Sequence, residues 1–262
     1  MRVLLNRIYS DYLMPSRLAE YEGLVRAARD CGYHQLSLRE FIKATAQGTA
    51  QGQARPLTLV HRHDIDSDVR TAAKMFAIEV RHGITASYYF RLSTLDFGLM
   101  REIEAYGGEA SYHFEEVADF AKRHHLKSAD AVRLRFPEIR TEFQRNVTRI
   151  EQALGSKIYT VASHGDFANR RLNVINHEIL HDHRFRSNCG IACEAYDPEV
   201  LKQFDLYISD RPPPAYYYPT APRAALGRYH CICLLTHPVQ WETNWRASTR
   251  TNMRRLIDGL IW

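Results

Sequence analysis

From Leu57 onward, short apolar runs alternate with segments that repeat apolar residues at helical spacing, and this alternation constrains the fold more than any other feature. It predicts strands at 57–63, 84–91, 109–113, 157–163, 206–210 and 229–235, and helices at 68–82, 97–106, 115–125 and 137–154. Strands that alternate with helices form a parallel sheet. With 262 residues, 45% of them hydrophobic, the chain can build one large core. The predicted fold class is therefore α/β, a distorted (β/α) barrel.

One further part precedes this alternating region, and another interrupts it. Apolar spacing predicts helices at 16–31 and 38–46, followed by a polar, glycine-containing loop at 47–56. Residues 167–200 have no clear period, which predicts an irregular connection with short helices. We interpret the chain as a single domain made of a lead-in at 1–56, a main part at 57–242 and a closing amphipathic helix at 243–262.

Charge and cysteine usage restrict the class of protein. The net charge is +5, and arginine, which suits bidentate recognition of carboxylate and phosphate, supplies most of the positive charge. There is no dense basic run, so a phosphorylated or anionic carbohydrate is expected before nucleic acid. The five cysteines lack zinc-ribbon spacing, which favours a reducing compartment. No apolar run is long enough for a signal peptide or a membrane span, so we expect a cytoplasmic protein.

Ionisable residues fall at the ends of the predicted strands. They are Asp64, Asp66, His113, His164, Asp210 and His237. In (β/α) barrels the chemistry lies at the C-terminal ends of the strands. Asp64 and Asp66 are two positions apart at the end of a strand, so their side chains point the same way. Two carboxylates this close repel each other unless a cation lies between them, which indicates a metal site. The alternative is a polar strand end followed by an aspartate that caps the next helix.

Five short motifs follow one another along the main part. They read Arg-His-Asp-Ile-Asp at 62–66, Ala-Ser-Tyr-Tyr-Phe-Arg at 86–91, Gly-Gly-Glu-Ala-Ser-Tyr-His at 107–113, Ser-His-Gly at 163–165 and Leu-Thr-His-Pro at 235–238. Their order and spacing resemble the polysaccharide deacetylase family, the NodB-homology carbohydrate esterases, in particular the branch that opens with Arg-His-Asp-Val-Asp. The resemblance covers about residues 57–242. It implies a barrel of the NodB type that binds a divalent metal, zinc above all.

The chain departs from the family pattern at two positions. Val117 stands where the better-known members have a second histidine, and Gly108 replaces the first histidine of the Gly-His-Glu type of motif. One metal ligand therefore has to come from elsewhere. We predict His164, with Glu115 or Glu116 as the rival; acidic residues at these positions are also favoured simply by the start of a helix.

The resemblance assigns roles to the residues at the strand ends. Asp66, His113 and His164 would bind the metal, which leaves an open position for water. Asp64 would be the general base, and protonated His237 would give its proton to the leaving amine. For His237 the alternative is a strand-end histidine packed on Pro238. The residues predicted to bind substrate are Arg62, Arg91, Asp210, Arg211 and Trp241, with structural salt bridges as the alternative for the charged ones and a carboxylate tether as a further role for Arg62.

The predicted function is a metal-dependent hydrolase that removes an N-acyl group, acetyl or formyl, from an amino sugar. A protein of the cytoplasm would act on a biosynthetic intermediate, so we expect a nucleotide- or lipid-linked amino sugar of surface polysaccharide or O-antigen assembly. Both carriers bear a diphosphate that arginine side chains can bind. The alternatives are another C–N amide hydrolase on the same fold and an inactive carbohydrate-binding relative.

Overall fold

The computed structural model describes residues 2–46 and 56–262. The loop predicted at 47–56 lies outside the described residues, apart from Pro56. The strands are β1 His34–Ser37, β2 Thr58–Ile65, β3 Ser87–Phe90, β4 Glu109–Phe114, β5 Thr160–Ser163, β6 Cys193–Glu194, β7 Leu206–Asp210, β8 Tyr217–Tyr218 and β9 Cys231–Thr236. The α-helices are α1 Arg2–Ile8, α2 Leu18–Asp30, α3 Leu38–Ala46, α4 Val69–His82, α5 Phe97–Tyr106, α6 Glu116–Arg123, α7 Ala129–Arg133, α8 Phe136–Leu154, α9 Phe167–Leu172, α10 His183–Asn188, α11 Pro198–Leu201, α12 Pro222–Ala225 and α13 Trp245–Ile261.

Within the described residues there are also three short helical turns of other types. A π-helical turn at Tyr9–Leu13 continues α1, and 3₁₀ turns lie at Asn176–His181 and Pro238–Gln240. None of the helices within the described ranges is both long and apolar enough to span a bilayer.

One sheet joins the strands in the order β6-β5-β4-β3-β2-β9-β7-β8, and β1 pairs with β2 beside this path. All pairs are parallel except β7 with β8. Helices follow most strands, as the alternating pattern predicts. The predicted α/β fold, a distorted (β/α) barrel, is confirmed, with the strand ends on one side as the fold class requires.

Strand β2 pairs with one strand along one edge and with two strands in succession along the other. One edge pairs with β9 from Thr58 to His63. On the other edge β1 pairs with residues 58–61 and β3 takes over from Arg62 to Ile65. All eight residues of β2 are buried, including two histidines, an arginine and an aspartate. Because burial of ionisable groups is costly without partners, β2 must carry an extensive polar network.

Helix α8 provides much of the core on one face of the sheet. Its predicted apolar face is buried, with Ile139, Phe143, Val147 and Ile150 all at 2% exposure or less. Its predicted end is also found, since Gly155 adopts a left-handed φ of 71° that favours glycine. The closing helix α13 differs from expectation, because Leu256 and Ile257 of its apolar face are exposed instead of packed on the barrel.

Candidate metal centre

The ends of β2, β4 and β5 bring the predicted ligands together, with β3 lying between β2 and β4 in the sheet. Asp66 follows β2 directly, His113 lies in β4, and His164 follows β5. In the sheet register His113 lies beside Ala162 of β5, and the His164 backbone N–H donates to the Phe114 carbonyl at 2.8 Å. The parallel pairing therefore places residues that are 47 or more positions apart in sequence, such as Asp66 and His113, at one edge of the sheet.

The three ligand atoms form a nearly regular triangle. Asp66 Oδ1 lies 3.4 Å from His113 Nε2 and 3.2 Å from His164 Nδ1, and the two ring nitrogens are 3.3 Å apart. Ligands about 2.0–2.1 Å from a tetrahedral zinc are about 3.3–3.4 Å from one another, so the triangle matches one face of such a site. Asp66 Oδ1 is buried and has no hydrogen-bond partner among the described residues. The residues present therefore fit a bound divalent ion.

Neighbouring groups hold the two imidazoles in place. His113 Nδ1 donates to the Ala162 carbonyl at 3.0 Å, which directs Nε2 at Asp66. The carbonyl of His164 accepts a hydrogen bond from the Asn176 amide at 2.5 Å. Burial opposes ionisation of Asp66, but the neighbouring His164 and His113 more than offset it and hold the pKa of Asp66 well below its usual value. Asp66 is therefore ionised at neutral pH, as a metal ligand would have to be.

Asp64 lies beside this triangle and is held by Arg62. The guanidinium donates Nε–H to Oδ1 at 2.9 Å and an Nη–H to Oδ2 at 2.8 Å, and both side chains are 1% exposed. Tyr196 covers the guanidinium at 4.2 Å, and Tyr207 accepts from it at 3.3 Å. Burial raises the pKa of Asp64, but the Arg62 charge outweighs burial and keeps this pKa below its usual value. Asp64 Oδ2 is 3.6 Å from His113 Nε2, close to the metal centre but outside the triangle.

On the other side of the site, Asp210 holds His237. His237 Nδ1 donates to Asp210 Oδ1 at 2.6 Å, and its backbone N–H donates to Oδ2 at 2.7 Å. Trp241 Nε1–H donates to the same Oδ2 at 3.0 Å. Burial lowers the pKa of His237, but Asp210 outweighs it and raises this pKa to about 9. His237 is therefore a cation at neutral pH. Its Nε2 has no hydrogen-bond partner among residues 2–46 and 56–262, and the residue lines a cavity together with Asp66 and Arg91.

The rival ligand Glu115 lies close by and is already paired. Arg91 donates Nε–H to Glu115 Oε1 at 2.9 Å and an Nη–H to Oε2 at 2.5 Å. Carboxylate oxygens of Glu115 and Asp166 and a ring nitrogen of His164 lie within 4.8 Å of one another, but Asp166 also accepts from Lys122 at 3.1 Å. Both carboxylates of this second group therefore have cationic partners, unlike Asp66.

Glu116 points away from the metal centre into a separate cavity. Its Oε1 accepts hydrogen bonds from the Tyr112 hydroxyl at 2.5 Å and the Asn146 amide at 2.9 Å. Its Oε2 is buried without a partner among the described residues, and burial raises the pKa of Glu116 to about 7. The structure therefore does not place Glu116 near His164.

The residues predicted to bind substrate divide into two kinds. Arg62, Asp210 and Trp241 are at most 3% exposed, and they are bonded to Asp64, His237 and Asp210, respectively. They orient the site and offer no free face to a sugar, so the structure does not place Trp241 where it could bind substrate. Arg91 and Arg211 do line the cavity beside His237.

Other residues at the site were not predicted from the sequence. Asn176 lies in the irregular region, where no periodicity marks it. Arg250, Arg254 and Arg255 of α13 line a cavity that measures about 690 Å³ and includes Asp66 and His164 in its wall. Arg254 and Arg255 follow Arg250 by four and five residues, a helical spacing that could have identified a basic face.

Comparison with known proteins gives limited results. No protein-family model matches the sequence, and no curated protein matches it. A solved structure that does match is the crystal structure of a mutant of a CE4 family pseudoenzyme with restored enzymatic activity. The identity is 13% and the TM-score 0.42, and the alignment covers 78% of this chain and 65% of the other.

Proposed function

We propose that this protein is a metal-dependent hydrolase that removes an N-acyl group from an amino sugar, in the manner of the polysaccharide deacetylases that its motifs resemble. The observation that supports this proposal most strongly is the triangle of Asp66, His113 and His164, whose edges measure 3.2–3.4 Å. Its buried Asp66 Oδ1 has no hydrogen-bond partner among the described residues. Two imidazoles and one carboxylate are the ligand set of catalytic zinc sites that keep a position open.

Two further residues provide the proton transfers that amide hydrolysis requires. Arg62 keeps Asp64 ionised, and each Asp64 oxygen retains a lone pair that can accept the proton of the attacking water. Asp210 keeps His237 protonated, so its Nε2–H can be given to the amine as the C–N bond breaks. When bound, a zinc-like ion supplies Lewis acidity toward the acyl oxygen and lowers the pKa of water. This division assigns the role of base to an anion and the role of acid to a cation.

The substrate that we propose carries acetyl or formyl on nitrogen and belongs to surface-polysaccharide assembly, such as that of O-antigen. The preference for a nucleotide- or lipid-linked sugar comes from the surplus of arginine and is supported by the arginines that line the 690 Å³ cavity beside Asp66. Zinc is the proposed metal because imidazole with carboxylate in a three-ligand site favours it.

The test is the release of acetate or formate from free, nucleotide-linked and lipid-linked N-acyl amino sugars by zinc-loaded protein. Asp64→Asn is the matched variant, since it keeps the shape of the side chain but cannot act as a base. We expect it to retain zinc and to lose about 10³-fold or more in kcat. Full turnover by Asp64→Asn would contradict the proposal.

The identity of the product separates the alternatives. Ammonia or a ring-opened product would indicate a different C–N hydrolase on this fold. Sugar binding without any turnover, by protein that holds its zinc, would indicate a binding relative. Release from extracellular polymers alone, such as chitin or peptidoglycan, would overturn the role in assembly.

A further inference from the structure

A basic cleft lies between the metal centre and α13. We use this name for the 690 Å³ cavity whose wall includes Asp66 on one side and Arg170, Arg250 and Arg255 elsewhere. Its volume is in the range of small-molecule sites, about 300–1,000 Å³. It therefore has room for more than the acyl group that the metal centre would process.

Much of the positive charge in the basic cleft is unneutralised. The side chains of Arg170, Arg250 and Arg255 make no hydrogen bond or ion pair with any residue in 2–46 or 56–262. The two other acids of the wall, Asp166 and Asp258, both face Lys122, at 3.1 and 3.6 Å. Unpaired guanidinium groups around one cavity are a site for an anion with several oxygens, such as a phosphate or diphosphate.

The charges also crowd one another. Burial and the neighbouring guanidinium of Arg7 lower the pKa of Arg255, whereas the carboxylates of Asp66 and Asp11 act in the opposite direction without cancelling the effect. Arg7 itself has a partner, since its side chain lies 3.5 Å from Asp11. An anion bound at Arg255 would relieve this repulsion, which is a second reason to expect one there.

A shallow apolar groove adjoins the basic cleft on the outer side of α13. Trp245, Met253 and Ile257 line it, and they are 61%, 60% and 50% exposed. Arg250 and Arg254 line both the groove and the cleft, so the two surfaces are continuous. Exposed apolar side chains of this size in a row beside cations mark a binding surface for a ligand that is itself apolar at one end and anionic at the other.

We propose that the basic cleft binds the phosphate or diphosphate that joins an amino sugar to a lipid chain, and that the apolar groove takes the first part of that chain. This deepens the proposed function and rests on it only for the sugar at the metal centre. A nucleoside would present polar edges to the groove, so the lipid-linked form is the source that matches both surfaces.

The test is calorimetric binding of three probes to the zinc-loaded protein: inorganic pyrophosphate, farnesyl diphosphate and uridine diphosphate. We expect farnesyl diphosphate to bind about tenfold more tightly than the other two, because only its chain can be buried in the groove. Arg250→Ala combined with Arg255→Ala should weaken all three by about tenfold or more. Arg149→Ala, which removes an exposed arginine of α8 outside both surfaces, should change none.

A second pair of variants tests the apolar groove separately. Trp245→Ser with Ile257→Ser should bring farnesyl diphosphate down to the affinity of pyrophosphate and leave pyrophosphate itself unchanged. Leu134→Ser, at a residue 80% exposed elsewhere on the surface, is the matched control and should have no effect. All of these side chains are exposed, and circular dichroism and zinc content verify that each variant is folded.

The outcomes distinguish this proposal from the proposed function. Tighter binding of uridine diphosphate than of farnesyl diphosphate would overturn it, as would diphosphate binding that is lost on metal removal but unaffected by the arginine variants. Either result could occur in an enzyme that still releases acetate from free amino sugars. Conversely, the expected probe pattern in a protein that deacylates nothing would uphold the anion site and contradict the hydrolase.

Discussion

Two buried clusters of histidine and carboxylate lie along β2, and they differ in how their oxygens are used. In the core cluster, formed by Tyr21, His63, Glu79 and Tyr88, Glu79 Oε1 accepts from Tyr21 at 2.6 Å and from His63 at 2.7 Å, and Oε2 accepts from Tyr88 at 2.7 Å. His63 Nδ1 is satisfied by Thr236 at 2.5 Å. At the metal centre, by contrast, Asp66 Oδ1 has no such partner.

The difference separates a structural network from a site that needs a ligand. A buried polar network in which every atom is satisfied stabilises the fold and has no affinity left for an ion. A buried oxygen without a partner costs free energy unless something binds there. Both clusters combine histidine with a carboxylate, but only in the core cluster do tyrosine hydroxyls and histidine satisfy both carboxylate oxygens.

The largest expected effect is on zinc binding. His164→Ala should lower zinc affinity by about 10³-fold, because one of three protein ligands is lost. His63→Gln, the matched change in the core cluster, should keep zinc because its amide can still donate to Glu79. Zinc content by elemental analysis checks both. Unchanged zinc in His164→Ala together with zinc loss in Glu115→Gln or Glu116→Gln would reverse the ligand assignment.

The strand ends are the part of this site that the sequence predicts well. Asp64, Asp66, His113, His164 and His237 each follow or lie in an apolar run, and parallel pairing of such runs brings their ends to one edge whatever the length of the connections. The fold class follows from the same alternation. Chain order and period are therefore enough to gather the residues of the metal centre.

Features that depend on packing are not predictable in this way. β1 is four residues long, begins with His34 and Gln35, and forms only because half of one edge of β2 is free to pair with it. The apolar pattern of α13 identifies a helix, but only the structure shows that Leu256 faces solvent. For Trp241, a residue that could stack on a sugar or fill the core, burial decides the role.

A change in the core cluster should lower the stability of the fold and leave zinc binding unchanged. Glu79→Gln removes the charge that His63 and two tyrosine hydroxyls are arranged around, and Glu79 is 1% exposed. We expect the free energy of unfolding to fall by about 3 kcal/mol, as for one member of a buried charged network. Urea denaturation measures the loss, with zinc content unchanged. Zinc loss without loss of stability would contradict the assignment of a structural role to the core cluster.

Glu116 tests the comparison further, because it also has a buried oxygen without a partner among the described residues. Its neighbours are Tyr112 and Asn146, however, which are not metal ligands here. Burial raises its pKa from 4.5 to about 7, so the folded state binds more protons than the unfolded state between these values. Stability should therefore fall as pH rises from about 4.5 to 7. Glu116→Gln should be about 2–3 kcal/mol more stable relative to the wild type at pH 8 than at pH 4.5. Denaturation at the two pH values tests this, and an equal difference at both would show that Glu116 has an ordinary pKa.

The pair of Asp210 and His237 is intermediate between the two clusters. Both Asp210 oxygens accept hydrogen bonds, whereas Nε2 of His237 has no partner among the described residues and can donate to a substrate. Since Asp210 raises the pKa of His237 to about 9, the protonated form that donates to the amine should be lost only above that pH. Asp210→Asn removes the charge and should move the alkaline limb of kcat down by about one to two pH units. Trp241→Phe removes only a neutral donor to the same carboxylate and should move the limb by less than about half a unit. The pH dependence of kcat for the three proteins is the measurement. An alkaline limb that stays in place in Asp210→Asn would mean that His237 is held by Asp210 for structure alone, as Glu79 holds His63, and that another group protonates the amine.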